Sequence, residues 1–165
     1  MKLAGGQASA FIAKPDPTRT AVLLYGMDAM RVSLKRQQLI KALVGPTAEE
    51  EMRLTRIDAS DLRKEPALVL DGIKAQGFFP GPRVVFVEGA GDGLTAVLDT
   101  ALKEWAQGDA TLIVTASSLN ARSKLRKAFE GHNNSYAIGI YDDPPGRDEI
   151  ERMLGEAQLK DVPKA

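Results

Sequence analysis

Four short runs rich in apolar or β-branched residues, Ala21–Tyr25, Arg83–Glu88, Thr111–Thr115 and Tyr136–Tyr141, alternate along the chain with stretches of helical periodicity. Each run is four to eight residues long and bounded by Gly, Pro or polar residues, which is the signature of a buried strand. A weaker run, Met52–Ile57, alternates polar and apolar residues and suits an edge or half-exposed strand. The intervening helical patterns cover Met30–Val44, Pro66–Gln76, Leu94–Ala106 and Asn120–Glu130; in the third, Leu94, Leu98, Ala101, Leu102 and Trp105 share one face. Strands alternating with helices build βαβ units, so the expected fold class is α/β, a mainly parallel sheet with helices on both faces.

Ligands of such sheets bind beyond the carboxyl ends of the strands. Chemistry is therefore sought at Gly26–Asp28, Glu88–Gly93, Ala116–Leu119, and at Asp142 with Asp143. After Asp143 the pattern changes. Pro144, Pro145 and Gly146 interrupt it, and an amphipathic stretch, Arg147–Leu159, follows with Ile150, Met153 and Leu154 on one side. The expected organisation is one domain over residues 1–143 and the start of a helical second domain, cut short, over 144–165.

Composition narrows the function classes. Basic and acidic residues balance at 22 each, which argues against a chain devoted to coating nucleic acid. Cysteine is absent, so disulfides, cysteine zinc sites and thiol catalysis are excluded. Met1–Lys14 lacks the continuous apolar stretch of a signal peptide, and no run approaches the ~20 apolar residues of a membrane span. A soluble, cytoplasmic protein is expected.

The first strand leads through Gly26 to a helix, where a P-loop would lie. That motif needs a second glycine so that amides can wrap the phosphates, a lysine for their charge, and Ser or Thr for magnesium. Here Arg31 and Val32 stand at the glycine and lysine positions, only Ser33 fits, and Asp28 adds negative charge where phosphates would dock. Neither a nucleotide cofactor nor a metal is expected at this degenerate site.

Glu88-Gly-Ala-Gly-Asp-Gly93 resembles the glycine-rich loop of S-adenosylmethionine or dinucleotide enzymes. Leu94 replaces the last glycine of G-x-G-x-x-G, and Ala116, Ser117 and Ser118 stand where an acid would hold ribose. The alternatives are a cofactor-dependent enzyme and a surface turn, which Asp and Gly favour. Arg122, Lys124, Arg126 and Lys127 form either a phosphate contact or a solvated helix face. His132, the single histidine, lies beside Gly131, Asn133 and Asn134; it has no Ser, Cys or carboxylate at recognisable spacing and is expected in a surface loop.

Gln76-Gly-Phe-Phe-Pro-Gly-Pro82 puts two of the chain's five phenylalanines side by side at the end of a helix. Adjacent side chains point in different directions, so one core pocket does not readily take both. Either one ring caps the core while the other is partly exposed, or the pair is an aromatic plug for a hydrophobic pocket on a partner. Burying both would cover roughly 300–500 Å², about 8–12 kcal/mol gross, against an association cost on the order of 4–15 kcal/mol. A plug therefore needs a surrounding contact patch.

In their order and spacing, Leu23, Leu24, Tyr25, Gly26 and Asp28, the helix ending in Gly77, Phe78 and Phe79, the strand Arg83–Glu88, and Leu119, Arg122, Ser123, Lys124 and Leu125 resemble the delta-subunit family of bacterial DNA polymerase III clamp loaders. The resemblance implies an AAA+ type domain that has lost ATP binding. It implies that Phe78 and Phe79, flanked by Gln76, Gly77 and Pro80, enter a pocket of the sliding clamp; Phe78 departs from the family's common Leu but stays apolar. It further implies no catalysis by this domain within a DNA-directed DNA polymerase (nucleotidyltransferase) holoenzyme. Other loader subunits would be met through a carboxyl-terminal domain, DNA contact would be weak or indirect, and no membrane is involved.

Overall fold

The computed structural model describes residues 1–3, 5–16, 18–46, 53–75 and 82–140. Six strands form one all-parallel sheet: β1 (Lys2–Leu3), β2 (Ala21–Tyr25), β3 (Leu54–Asp58), β4 (Val84–Ala90), β5 (Thr111–Ala116) and β6 (Ser135–Gly139), in the order β1-β6-β2-β5-β4-β3. Between them lie α1 (Gly5–Ala13), α2 (Ala29–Val44), α3 (Ala59–Lys64), α4 (Ala67–Lys74), α5 (Thr95–Glu104), entered through a 3₁₀ turn at Asp92–Leu94, and α6 (Lys124–Gly131).

Every residue of β2 and β5 is buried, because helices cover both sides of a parallel sheet and both alternating faces need apolar side chains. Val22, Leu24, Phe86, Ile113 and Ile138 pack with Ile12, Leu39, Ile40 and Leu43 beneath α1 and α2. Leu23, Tyr25, Val85, Val87, Leu112 and Val114 point the other way and pack with Leu62, Ile73, Leu98, Leu102, Leu125 and Phe129 of α3–α6. The edge strand β3 is mostly exposed, as its mixed pattern implies.

Several sequence-derived boundaries move for identifiable reasons. The third strand begins at Leu54 and ends at Asp58, whose carboxylate then accepts from the Ser60 amide and starts α3. The fourth does not stop at Glu88; it continues through a bulge between Val87 and Ala90, with Gly89 at φ 77° and its amide 3.4 Å from the Thr115 hydroxyl. The fifth extends to Ala116, and the sixth occupies Ser135–Gly139 in place of Tyr136–Tyr141. Trp105 leaves the helix in an extended conformation while its indole N–H donates to the Ala110 carbonyl at 2.9 Å. Asn120–Ser123 is a turn and not a helix, since Ser123 is the N-cap of α6.

Candidate functional site

The carboxyl ends of β2, β4 and β5 open into a cleft of about 370 Å³ beneath α2. Gly26 is at its base, but not for the reason a P-loop requires. A side chain there would place Cβ 2.2 Å from the Ile140 carbonyl oxygen, and the Ile140 amide donates to the Tyr25 carbonyl at 2.7 Å. Glycine at this position lets the chain leaving β6 run close alongside the end of β2.

Asp28 closes the anion site of the next helix. Its Oδ1 accepts from the amides of Met30 (3.0 Å) and Arg31 (3.2 Å), two of the donors that would otherwise turn toward a phosphate. Ser33, the one residue matching the P-loop pattern, accepts from Arg36 and Gln37. The degenerate sequence is thus an intact helix start whose ligand is its own capping carboxylate.

The glycine-rich segment is also engaged internally. Asp92 Oδ1 accepts from the Ser123 hydroxyl at 2.5 Å and from the Leu125 amide at 3.3 Å, while Ser123 Oγ accepts from the Arg126 amide at 3.2 Å. Asp92 and Ser123 together cap α6 from two different loops. Hydrogen bonding to Ser123 foremost, then to the Leu125 and Lys124 amides, holds the Asp92 carboxyl below the usual aspartate range, outweighing its desolvation. A depressed folded-state value means that this contribution is present above about pH 4 and is lost as pH falls through the folded value. Asp92→Asn is therefore expected to flatten the acid limb of stability below about pH 4 in urea melts, and Ser123→Ala to cost about 1 kcal/mol near neutrality.

The basic segment divides. Arg122, Lys124 and Lys127 are exposed, whereas Arg126 lies over the Tyr25 ring at 5.3 Å, donates to the Leu119 carbonyl at 3.3 Å and pairs with Glu130 at 3.1 Å. Arg126 belongs to the packing of α6, leaving three cations on the solvated face. His132 is not a free surface histidine. It is half-buried, Nδ1 accepts from the Asn134 amide and lies 2.8 Å from the hydroxyl of fully buried Ser135, and burial pulls its pKa down. A serine does stand beside the histidine, three residues on, but it is sealed in the start of β6 and faces no substrate.

Gln76, Gly77, Phe78, Phe79 and Pro80 lie outside the described residues, as do Asp142, Asp143 and the whole 144–165 stretch. Their described flanks are firmly placed at the amino-terminal end of the strands, opposite the cleft. The Lys74 ammonium donates to the Glu104 carbonyl (2.7 Å) and to Asp109 (2.5 Å), and Ala110 donates to the Ile73 carbonyl. On the far side Arg53 donates to the Pro82 carbonyl at 3.0 Å and Arg83 to the Gly108 carbonyl at 3.1 Å. Residues 76–81 are thus bracketed by contacts to β3 and to the α5–β5 turn. Such anchors are invisible in sequence, because Asp109 and Gly108 lie about thirty positions away.

Comparison with known proteins places the fold. No protein-family model and no curated sequence matches the chain. Among solved structures, the Bacillus subtilis DNA clamp loader delta protein superposes with a TM-score of 0.65 at 15% identity, over 93% of this chain and 47% of that one. The chain thus spans about half of that protein's length. The DnaC helicase loader (TM-score 0.49, 12% identity, 81% of this chain and 85% of that one) is a more distant match. So is a DNA polymerase III gamma subunit-related protein of Thermotoga maritima (TM-score 0.49, 12% identity, 84% and 45%). The six-stranded parallel sheet covered on both faces is the α/β fold that the strand–helix alternation implies, and the B. subtilis delta protein shares it. Among the described residues no helix is long and apolar enough to cross a membrane.

Proposed function

We propose that this chain is the amino-terminal part of a clamp-loader delta subunit, with residues 1–143 as the clamp-binding domain and 144–165 as the start of a helical lid. It grips the sliding clamp through Phe78 and Phe79, with Gln76, Gly77 and Pro80 shaping the turn, and helps to open the ring for loading onto DNA. The fold shared with the B. subtilis delta protein supports this reading. The observation that carries it is Asp28: the helix start that binds phosphate in a working P-loop is filled by the chain's own carboxylate, so the scaffold is suited to binding and not to hydrolysis. ATP turnover then belongs to neighbouring subunits, which this chain meets through further carboxyl-terminal sequence. DNA contact is weak or indirect.

Mechanistically, plug binding favours a sprung conformation of the clamp interface. The shift it produces is limited to its differential affinity for the open and closed states. Clamp binding is tested by titration against purified sliding clamp. The rival, an S-adenosylmethionine or nucleotide enzyme using residues 88–93, is opposed by Asp92, whose carboxylate is committed to Ser123 and Leu125. Calorimetry separates the two readings: no heat of binding is expected with Mg-ATP or S-adenosylmethionine at millimolar concentration, and tight binding of either would overturn the proposal.

A further inference from the structure

The cleft holds an arginine that makes no salt bridge among the described residues. Arg36, two turns into α2, stacks on the Phe86 ring with its guanidinium carbon 4.6 Å from the centroid, and its Nε is buried with no hydrogen-bond partner. Among the described residues it makes one hydrogen bond, a 3.3 Å contact to Ser33 Oγ. Arg56 lies by the same ring at 5.4 Å and pairs with Glu88 at 3.6 Å. Among the described residues around Phe86, two guanidinium groups face one carboxylate, an excess of one positive charge. The surrounding walls are apolar: Met27, Ala29, Val32, Phe86 and Ala116. Burial, and then repulsion from Arg56, pull the Arg36 pKa down and outweigh the attraction of Glu88.

From this geometry we infer that the cleft is a binding site for a small organic carboxylate, its apolar body between Met27, Val32 and Phe86 and its carboxylate on Arg36. A volume of about 370 Å³ lies in the lower part of the range for small-molecule sites, and a few polar groups in an apolar cleft are their usual composition. The ligand's charge follows from the surroundings. A planar monoanion matches the single excess charge and the flat guanidinium edge. A phosphate dianion would meet Glu88 within the cleft and Asp28 at the start of α2. This site is independent of clamp binding, which the proposed function locates at the opposite end of the strands.

The test uses the whole chain labelled with ¹³C-methyl methionine and ¹⁵Nε arginine, titrated separately with sodium hexanoate, 1-hexanol and inorganic phosphate. Hexanoate is expected to shift the Met27 methyl and Arg36 Nε–H resonances together and saturably, at least tenfold more tightly than hexanol, with Met30 little affected. In Arg36→Met the tenfold preference for the carboxylate should vanish. Equal affinity for hexanoate and hexanol in the unmodified chain would overturn the inference, whether or not the variant folds. So would a phosphate response at Arg36 as strong as that to hexanoate, or hexanoate shifts that spread over the surface without saturating.

Discussion

The double change Phe78→Ala, Phe79→Ala is expected to lower affinity for the sliding clamp about 10³-fold. Truncating one interface hot spot costs about 2 kcal/mol or more, so two cost about 4 kcal/mol, and each 1.4 kcal/mol is a factor of ten. The melting temperature should stay near that of the unmodified chain. The contacts that fix the described flanks, Arg53 to Pro82, Lys74 to Glu104 and Asp109, and Arg83 to Gly108, use neither ring. Both quantities can be read on one preparation, by clamp titration and by thermal melting. A large fall in melting temperature would assign the rings to the core, and unchanged affinity would remove them from the interface.

The second large effect is at the opposite end of the sheet. Gly26→Ala should destabilise the domain by about 3 kcal/mol or more. The new methyl meets backbone, the Ile140 carbonyl oxygen at 2.2 Å and carbon at 3.1 Å, and relief requires shifting the segment whose amide donates to Tyr25. Gly91→Ala provides the control. Nothing lies within 4 Å of its Cβ position and its backbone is extended, so a near-neutral result is expected. A Gly26→Ala variant that melts like the unmodified chain would show that Ile140 does not pack this closely on Gly26.

That contrast also shows what sequence alone can convey. The alternation of apolar runs and helical periods is sufficient for the sheet, because β2 and β5 are buried on both faces and carry no charged residue. Short elements escape it. The two residues of β1 have no period, α1 opens on two glycines, and α3 has only six residues. At the cleft, the missing lysine at Val32 is plain in the sequence, and the negative charge of Asp28 is too. The fact that Asp28 caps the helix, and that Gly26 admits the close approach of Ile140, depends on three-dimensional neighbours.

The Gly-rich loop was ambiguous for the same reason. Asp92 reads in sequence only as part of a Gly-rich turn, and its capping role emerges when Ser123, thirty-one positions later, is seen to donate to it. Arg36 is inconspicuous in sequence, one basic residue on an amphipathic helix. Only the stacking on Phe86 and the pairing of Glu88 with Arg56 single it out.

The proposed division of labour pairs a nucleotide-type scaffold, its helix start capped by Asp28, with partner binding through Phe78 and Phe79. The most direct test is a titration of fluorescently labelled sliding clamp with this chain, run with and without saturating Mg-ATP. Saturable binding with the same dissociation constant in both series is the predicted result. No binding at concentrations of about 100 μM, or binding that appears only with ATP, would contradict it.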